Sequence, residues 1–129
     1  MKGVLFLCIH NSGRSQMAAG FMRHLGAGRV SVFSAGSEPA NAINPSAVAV
    51  MKEVGIDIAS AQPQLWTMEM LEAVDVVVTM GCGDACPFLP GKQYVDWPLD
   101  DPAGQGVDAV RPIRDEIERL VIELLNQIA

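Results

Sequence analysis

Gly3-Val-Leu-Phe-Leu-Cys8-Ile-His-Asn-Ser-Gly-Arg14-Ser15 is the stretch on which the reading of this chain turns. Its first half is a continuous apolar run, Gly3–Leu7, of strand length and without alternation, as expected of a strand covered on both faces in a parallel sheet. Its second half turns polar at once and contains Asn11 and Gly13, residue types that tolerate the left-handed backbone of a tight loop. Beyond it, Met17, Ala18, Phe21, Met22 and Leu25 recur at helical spacing. Strand, short polar loop and helix in that order are one half of a β-α-β unit.

The rest of the chain repeats this alternation. Gly26 and Gly28 close the first helix, and Val30–Phe33 forms a second strand ended by Ser34-Ala35-Gly36. Asn44 followed by Pro45 is a capped helix start, with Ala47, Val48, Met51 and Val54 as its buried stripe and Gly55 as its stop. A shorter helix is expected after Thr67, using Met68, Leu71 and Met70, and Val74–Met80 carries the strongest strand signal. Gly81–Lys92 reads as a long loop, Gln93–Trp97 as a fourth strand and Pro98–Gly106 as another loop. Val110, Ile113, Ile117, Leu120, Val121, Leu124 and Ile128 mark a final amphipathic helix, with Arg111–Asp115 and Arg114–Glu118 as i,i+4 pairs on its solvated face. The expected fold is α/β: one domain over 1–129, with a parallel sheet of about four strands and helices on both faces.

The chain has 129 residues, 50% hydrophobic and 19% charged, with a formal net charge of −6. This suits one core, is too apolar for a disordered chain, and lacks the basic footprint of a nucleic-acid binder. No uncharged run is long enough to span a bilayer, and the opening Met1–Cys8 is a poor secretory signal, so no membrane partner and a cytoplasmic location are expected. Three cysteines, Cys8, Cys82 and Cys86, make neither a regular disulfide framework nor, with His10 and His24, a zinc site. Free thiols are therefore expected, each a candidate for chemistry.

In parallel sheets ligands bind beyond the carboxyl ends of the strands. That rule gathers Cys8–Arg14, Gly81–Cys86 and Pro98–Gly106 at one rim. A loop running from a strand end into a helix aims consecutive N–H groups at one point, and the helix dipole adds positive potential there. Ile9, His10, Asn11, Ser12, Gly13, Arg14 and Ser15 are thus expected to cradle a tetrahedral oxyanion, with the Arg14 guanidinium gripping two of its oxygens. The same field favours thiolate over thiol at Cys8, the candidate nucleophile, and Ser15 can donate to that sulfur. Asp101, held by Pro102, is the candidate general acid, with Asp100 as competitor or charged neighbour. Cys82, after the third strand, and Cys86 suggest a relay in which Cys82 attacks an intermediate on Cys8 and Cys86 resolves the disulfide. His10 is expected at the cradle entrance, His24 at a helix C-terminus, and the methionines in the core.

The chain resembles arsenate reductases built on the low-molecular-weight protein tyrosine phosphatase fold. The likeness rests on Asn-Ser-Gly-Arg-Ser-Gln-Met-Ala (11–18), Phe-Ser-Ala-Gly (33–36), Met-Lys-Glu-Val-Gly-Ile-Asp-Ile (51–58), Val-Val-Thr (77–79), Asp-Asp-Pro-Ala (100–103) and Val-Arg-Pro-Ile-Arg-Asp-Glu-Ile (110–117). It implies Cys8 as nucleophile, Arg14 as oxyanion clamp, Ser15 as thiolate stabiliser, Asp101 as acid, and Cys82 with Cys86 as the redox pair of the thioredoxin-coupled branch. Only three residues separate Cys82 from Cys86, fewer than such relatives usually have. Some relatives hold potassium near the cradle through positions matching Asn11 and Ser34; the other polar positions here are Gln62 and Gln64, and no metal is expected.

The implied activity is reduction of arsenate to arsenite, with phosphate or sulfate as competing anions, in a monomer. No cofactor is bound. The external reductant is thioredoxin, or a low-molecular-weight thiol such as glutathione or mycothiol with a redoxin. The alternative is a low-molecular-weight protein tyrosine phosphatase. Such enzymes wall their pockets with aromatics, whereas Ala103-Gly104 follows Pro102 here and the chain has one Tyr and two Trp. A phosphocysteine carrier domain of similar topology is a further rival, one that needs neither Asp101 nor the two later cysteines.

Overall fold

The computed structural model describes residues 1–81 and 87–129. Its elements are β1 (Lys2–Cys8), α1 (Arg14–Leu25), β2 (Val30–Gly36), α2 (Pro45–Glu53), α3 (Met68–Ala73), β3 (Val76–Thr79), β4 (Gln93–Asp96) and α4 (Val107–Ile128). The strands form one sheet in the order β2-β1-β3-β4, with every neighbouring pair parallel. This is the expected α/β architecture.

The unbroken apolar run of β1 is explained by its central place. Val4, Phe6 and Cys8 face the larger core, built with α1, α2 and α4, while Leu5 and Leu7 face a smaller one with Leu71 of α3. Each fully buried side chain of this size contributes about 1.5–3 kcal/mol of hydrophobic stabilisation. Gly20 of α1 lies where an added Cβ would sit 3.0 Å from Ile58 and 3.2 Å from Met51, so its bareness lets α2 close on α1. Asn44 caps α2 as expected, its Oδ1 accepting from Ser46 N–H at 2.8 Å and Ala47 N–H at 3.3 Å.

Several expectations shift. The buried face of α2 is Ala47, Val50 and Met51, whereas Val48 is half-buried and Val54 exposed. The helix is rolled toward α1 and α4, which a stripe read from spacing alone cannot show. β3 is shorter than its apolar run, because its ladder to β4 extends only from Val76 to Thr79. α4 starts at Val107 and continues through Pro112, whose missing N–H falls on the exposed side, where water can serve the freed carbonyl.

The expected Arg111–Asp115 and Arg114–Glu118 pairs are not formed. Arg111 binds Glu53 at 2.7 Å and Asp108, and Arg114 binds Glu53 at 2.8 Å and Asp115. Glu53, at the end of α2, takes both guanidinium groups at once, and Asp108 and Asp115 complete their pairing in place of the expected i,i+4 partners. Among the described residues, no helix is long and apolar enough to cross a membrane.

Candidate active site

Three chain segments meet at the carboxyl end of the sheet. Cys8 is the last residue of β1, and Arg14 is the first of α1. Gly81, just past β3, approaches so closely that an added Cβ would lie 2.9 Å from Arg14 Nη1; Leu99, past β4, accepts from the same nitrogen at 3.3 Å. A pocket of about 20 Å³ lies at this end of the sheet, lined by Cys8, His10, Ser12, Gly13, Arg14, Asn44 and Asp101–Ala103. That is room for about one water-sized group above the thiol. A much larger hollow at the opposite rim, bordered by Lys2, Arg29 and Asp75, is open and holds no nucleophile.

The Cys8 sulfur is buried and accepts from Asn11 N–H at 3.2 Å. Ser15 Oγ lies 2.9 Å from it. Asn11 Nδ2 donates to that same oxygen at 2.7 Å, which leaves the Ser15 hydroxyl hydrogen free to point at sulfur. Asn11 is itself anchored, its Oδ1 accepting from Gln64 N–H at 3.0 Å and from Gln16 Nε2 at 3.1 Å. A chain of donors therefore runs from Gln64 and Gln16 through Asn11 and Ser15 to Cys8. Both donors nearest the sulfur, an N–H and a hydroxyl, are thus aimed at it.

Asn11 has φ 51°, the left-handed backbone expected of it. Gly13 does not share it: its φ is −132°. Its small size serves another purpose, because a Cβ there would lie 2.7 Å from Pro102 Cγ. The α1 N-terminus carries no side-chain cap, and the first helical bond runs from Met17 N–H to Gly13 O at 2.9 Å. The N–H groups ahead of it have no partner within the helix, which is the arrangement an anion completes.

Asp101 faces this mouth, and Asp100 lines a neighbouring groove instead. Asp101 Oδ2 lies 3.9 Å from Arg14 Nη2, and its Oδ1 accepts from Ala103 N–H at 2.9 Å. His10 lines the entrance, its Nδ1 3.0 Å from Glu38 O, and His24 lies in the last turn of α1. Ile9 offers the cradle no side-chain group; its carbonyl accepts from Glu38 N–H at 2.8 Å and bounds the site of Gly36, where an added Cβ would lie 2.4 Å from it. Cys82 and Cys86 lie outside the described residues.

The oxygens that would receive a potassium ion are engaged with amide hydrogens. Ser34 O accepts from Gln64 Nε2 at 2.9 Å, Gln62 O from Gln16 Nε2 at 3.3 Å, and Asn11 Oδ1 takes two donors. Among the described residues no acidic side chain joins them, and none form a group of His, Cys, Asp or Glu suited to a metal. The donor set does not fit a cation. Gln16 and the Nδ2 of Asn44 escaped the sequence reading, and Gln64 was placed near the cradle without its tie to Asn11; the one signal for Gln16 was a glutamine on the otherwise apolar face of α1.

The profile of the low molecular weight phosphotyrosine protein phosphatase family matches residues 3–129. The chain belongs to that family. Among its curated relatives, the glutaredoxin arsenate reductase of Synechocystis sp. is 39% identical, with all of both chains covered. The solved thioredoxin-dependent arsenate reductase of Corynebacterium glutamicum is 41% identical at TM-score 0.87, and the match covers 99% of this chain and 62% of that one. An arsenate reductase solved in a phosphate-binding state is 39% identical at TM-score 0.87, with both chains fully covered. This low molecular weight phosphatase family member thus shares its fold with proteins named arsenate reductase.

Proposed function

We propose that this chain is an arsenate reductase in which Cys8 is the nucleophile, Arg14 the clamp and Asp101 the acid. The observation that carries the reading is the paired approach of Asn11 N–H and Ser15 Oγ to Cys8 Sγ, at the floor of a pocket walled by Arg14 and Asp101. Its likeness to proteins named arsenate reductase supports the choice of substrate.

Arsenate binds through the cradle N–H groups of residues 9–15 and the Arg14 guanidinium. The thiolate of Cys8 attacks arsenic, forming an S–As bond, and Asp101 gives its proton to the departing hydroxide, which leaves as water. A second thiolate then attacks the Cys8 sulfur. The S–S bond forms, the S–As electron pair passes to arsenic, As(V) becomes As(III), and arsenite leaves. We assign that thiol to Cys82, the next residue after Gly81, whose backbone abuts Arg14. Cys86 then displaces Cys8 from Cys82, and an external thiol reductant reduces the Cys82–Cys86 bond. The name of the Corynebacterium relative favours thioredoxin as that reductant, and the name of the Synechocystis relative is the ground for testing a glutaredoxin with glutathione beside it.

Arsenite production with each reductant tests this. Cys8→Ser abolishes it. Cys82→Ser and Cys86→Ser each stop multiple turnover with thioredoxin, and Cys86→Ser still releases one arsenite per chain. Full turnover without both later cysteines would overturn the relay, and turnover of an aryl phosphate exceeding that of arsenate would favour a phosphatase.

A further inference from the structure

Asp101 needs a reason to stay at the pocket mouth. Its side chain is 57% exposed, its carboxylate is 3.9 Å from the Arg14 guanidinium, and its one hydrogen bond among the described residues is from Ala103 N–H in its own turn. Among the described residues its carboxylate makes no hydrogen bond to the cradle. The next residue is different. Pro102 rests on bare Gly13, and its carbonyl accepts from Asn44 Nδ2 at 3.2 Å.

Asn44 touches three parts of the site together. Its backbone N–H donates to Ser12 O of the cradle at 2.8 Å. Its Oδ1 takes the Ser46 and Ala47 amides and so caps α2. Its Nδ2 reaches across to Pro102 O. Ser, Thr or Asp would cap this helix about as well as Asn, but none has an N–H to give. The donor is therefore surplus to the helix, and it is spent on the acid loop. Ser46 Oγ adds a second tie, donating to Gln105 O at 2.9 Å.

We propose that Asn44 is a positioning residue for the acid step: it locks the Asp101–Pro102 segment to the cradle so that the Asp101 carboxyl is held over the bound oxyanion. This deepens the proposed function and rests on its assignment of Asp101. The proline makes the tie effective, because its fixed φ transmits a hold on its carbonyl back to the preceding residue.

The test is rapid-quench arsenite formation in a single turnover of the full chain at saturating arsenate. Asn44→Ser keeps a capping oxygen and removes the Nδ2 donor without adding charge. The expected result is a rate about tenfold lower, half-saturation by arsenate changed less than about twofold, and a melting temperature within about 3 °C of the parent. Asn44→Asp, nearly isosteric and a strong cap, loses the same donor and is expected to lose rate at saturation by a similar factor. Asp101→Asn is expected to lower the rate about 10²–10⁴-fold. In that background Asn44→Ser costs less than about twofold more, because the group it positions is gone. A parent-like rate in Asn44→Ser, or a full further tenfold loss on top of Asp101→Asn, would overturn the inference while leaving the acid standing. A parent-like rate in Asp101→Asn would overturn the acid assignment and this inference together.

Discussion

Ser15 shows how much of the site depends on one hydrogen. Its hydroxyl accepts from Asn11 Nδ2 and faces Cys8 Sγ, so the Asn side chain decides which way the hydroxyl points. Ser15→Ala removes one hydrogen bond to the attacking sulfur and is expected to slow formation of the Cys8–arsenic adduct about 10–100-fold, read by rapid-quench mass spectrometry. The fold should survive it, since the methyl group still fills the buried site. Cys8, Arg14 and Ser15 were legible in the sequence because a strand end, a polar loop and a helix start leave few ways to arrange them. The ties of Gln16 and Gln64 to the site were not: they reach Cys8 through Asn11, which lies next to them in space.

Glu53 ties α2 to α4 with two guanidinium groups, and α2 in turn carries Asn44. The Arg111 hydrogen bond, the largest influence, holds the Glu53 carboxyl below the usual glutamate range; burial opposes it, and the Arg114 hydrogen bond and the charges of both arginines reinforce it. Glu53 also raises Arg111 above its ordinary value. A depressed carboxylate contributes stability that is present above its unfolded value and is lost as pH falls through the lower folded one. Glu53→Gln is therefore expected to lower the melting temperature by about 2–4 °C at neutral pH, with the difference vanishing in strong acid and shrinking in high salt, by calorimetry across pH. The helices and strands themselves followed from periodicity and caps. The roll of α2 and the partners of Arg111 did not, because both depend on which side chain a distant element brings within reach.

The cradle should couple oxyanion binding to the stability of the whole molecule. Phosphate at about 100 times its Kd is expected to add about 2.7 kcal/mol, a rise on the order of 10 °C in melting temperature for a chain this size. Arg14→Lys, which gives up the bidentate grip, is expected to lose most of that rise at the same phosphate concentration, measured by differential scanning fluorimetry. Local order in the chain, by itself, determined the alternation of strands and helices, a cysteine at a strand end and an arginine at a helix start, because these follow from the period of apolar residues and from what neighbouring residues can reach. Only the tertiary structure decided that Asp101 rather than Asp100 faces the thiol, that Gly13 is bare for Pro102, and that Asn44 joins cap, cradle and acid loop. The contacts that reach the Asp101–Pro102 segment join residues 58 or more positions apart, and their distances are set by how the sheet and helices pack, which no local pattern encodes.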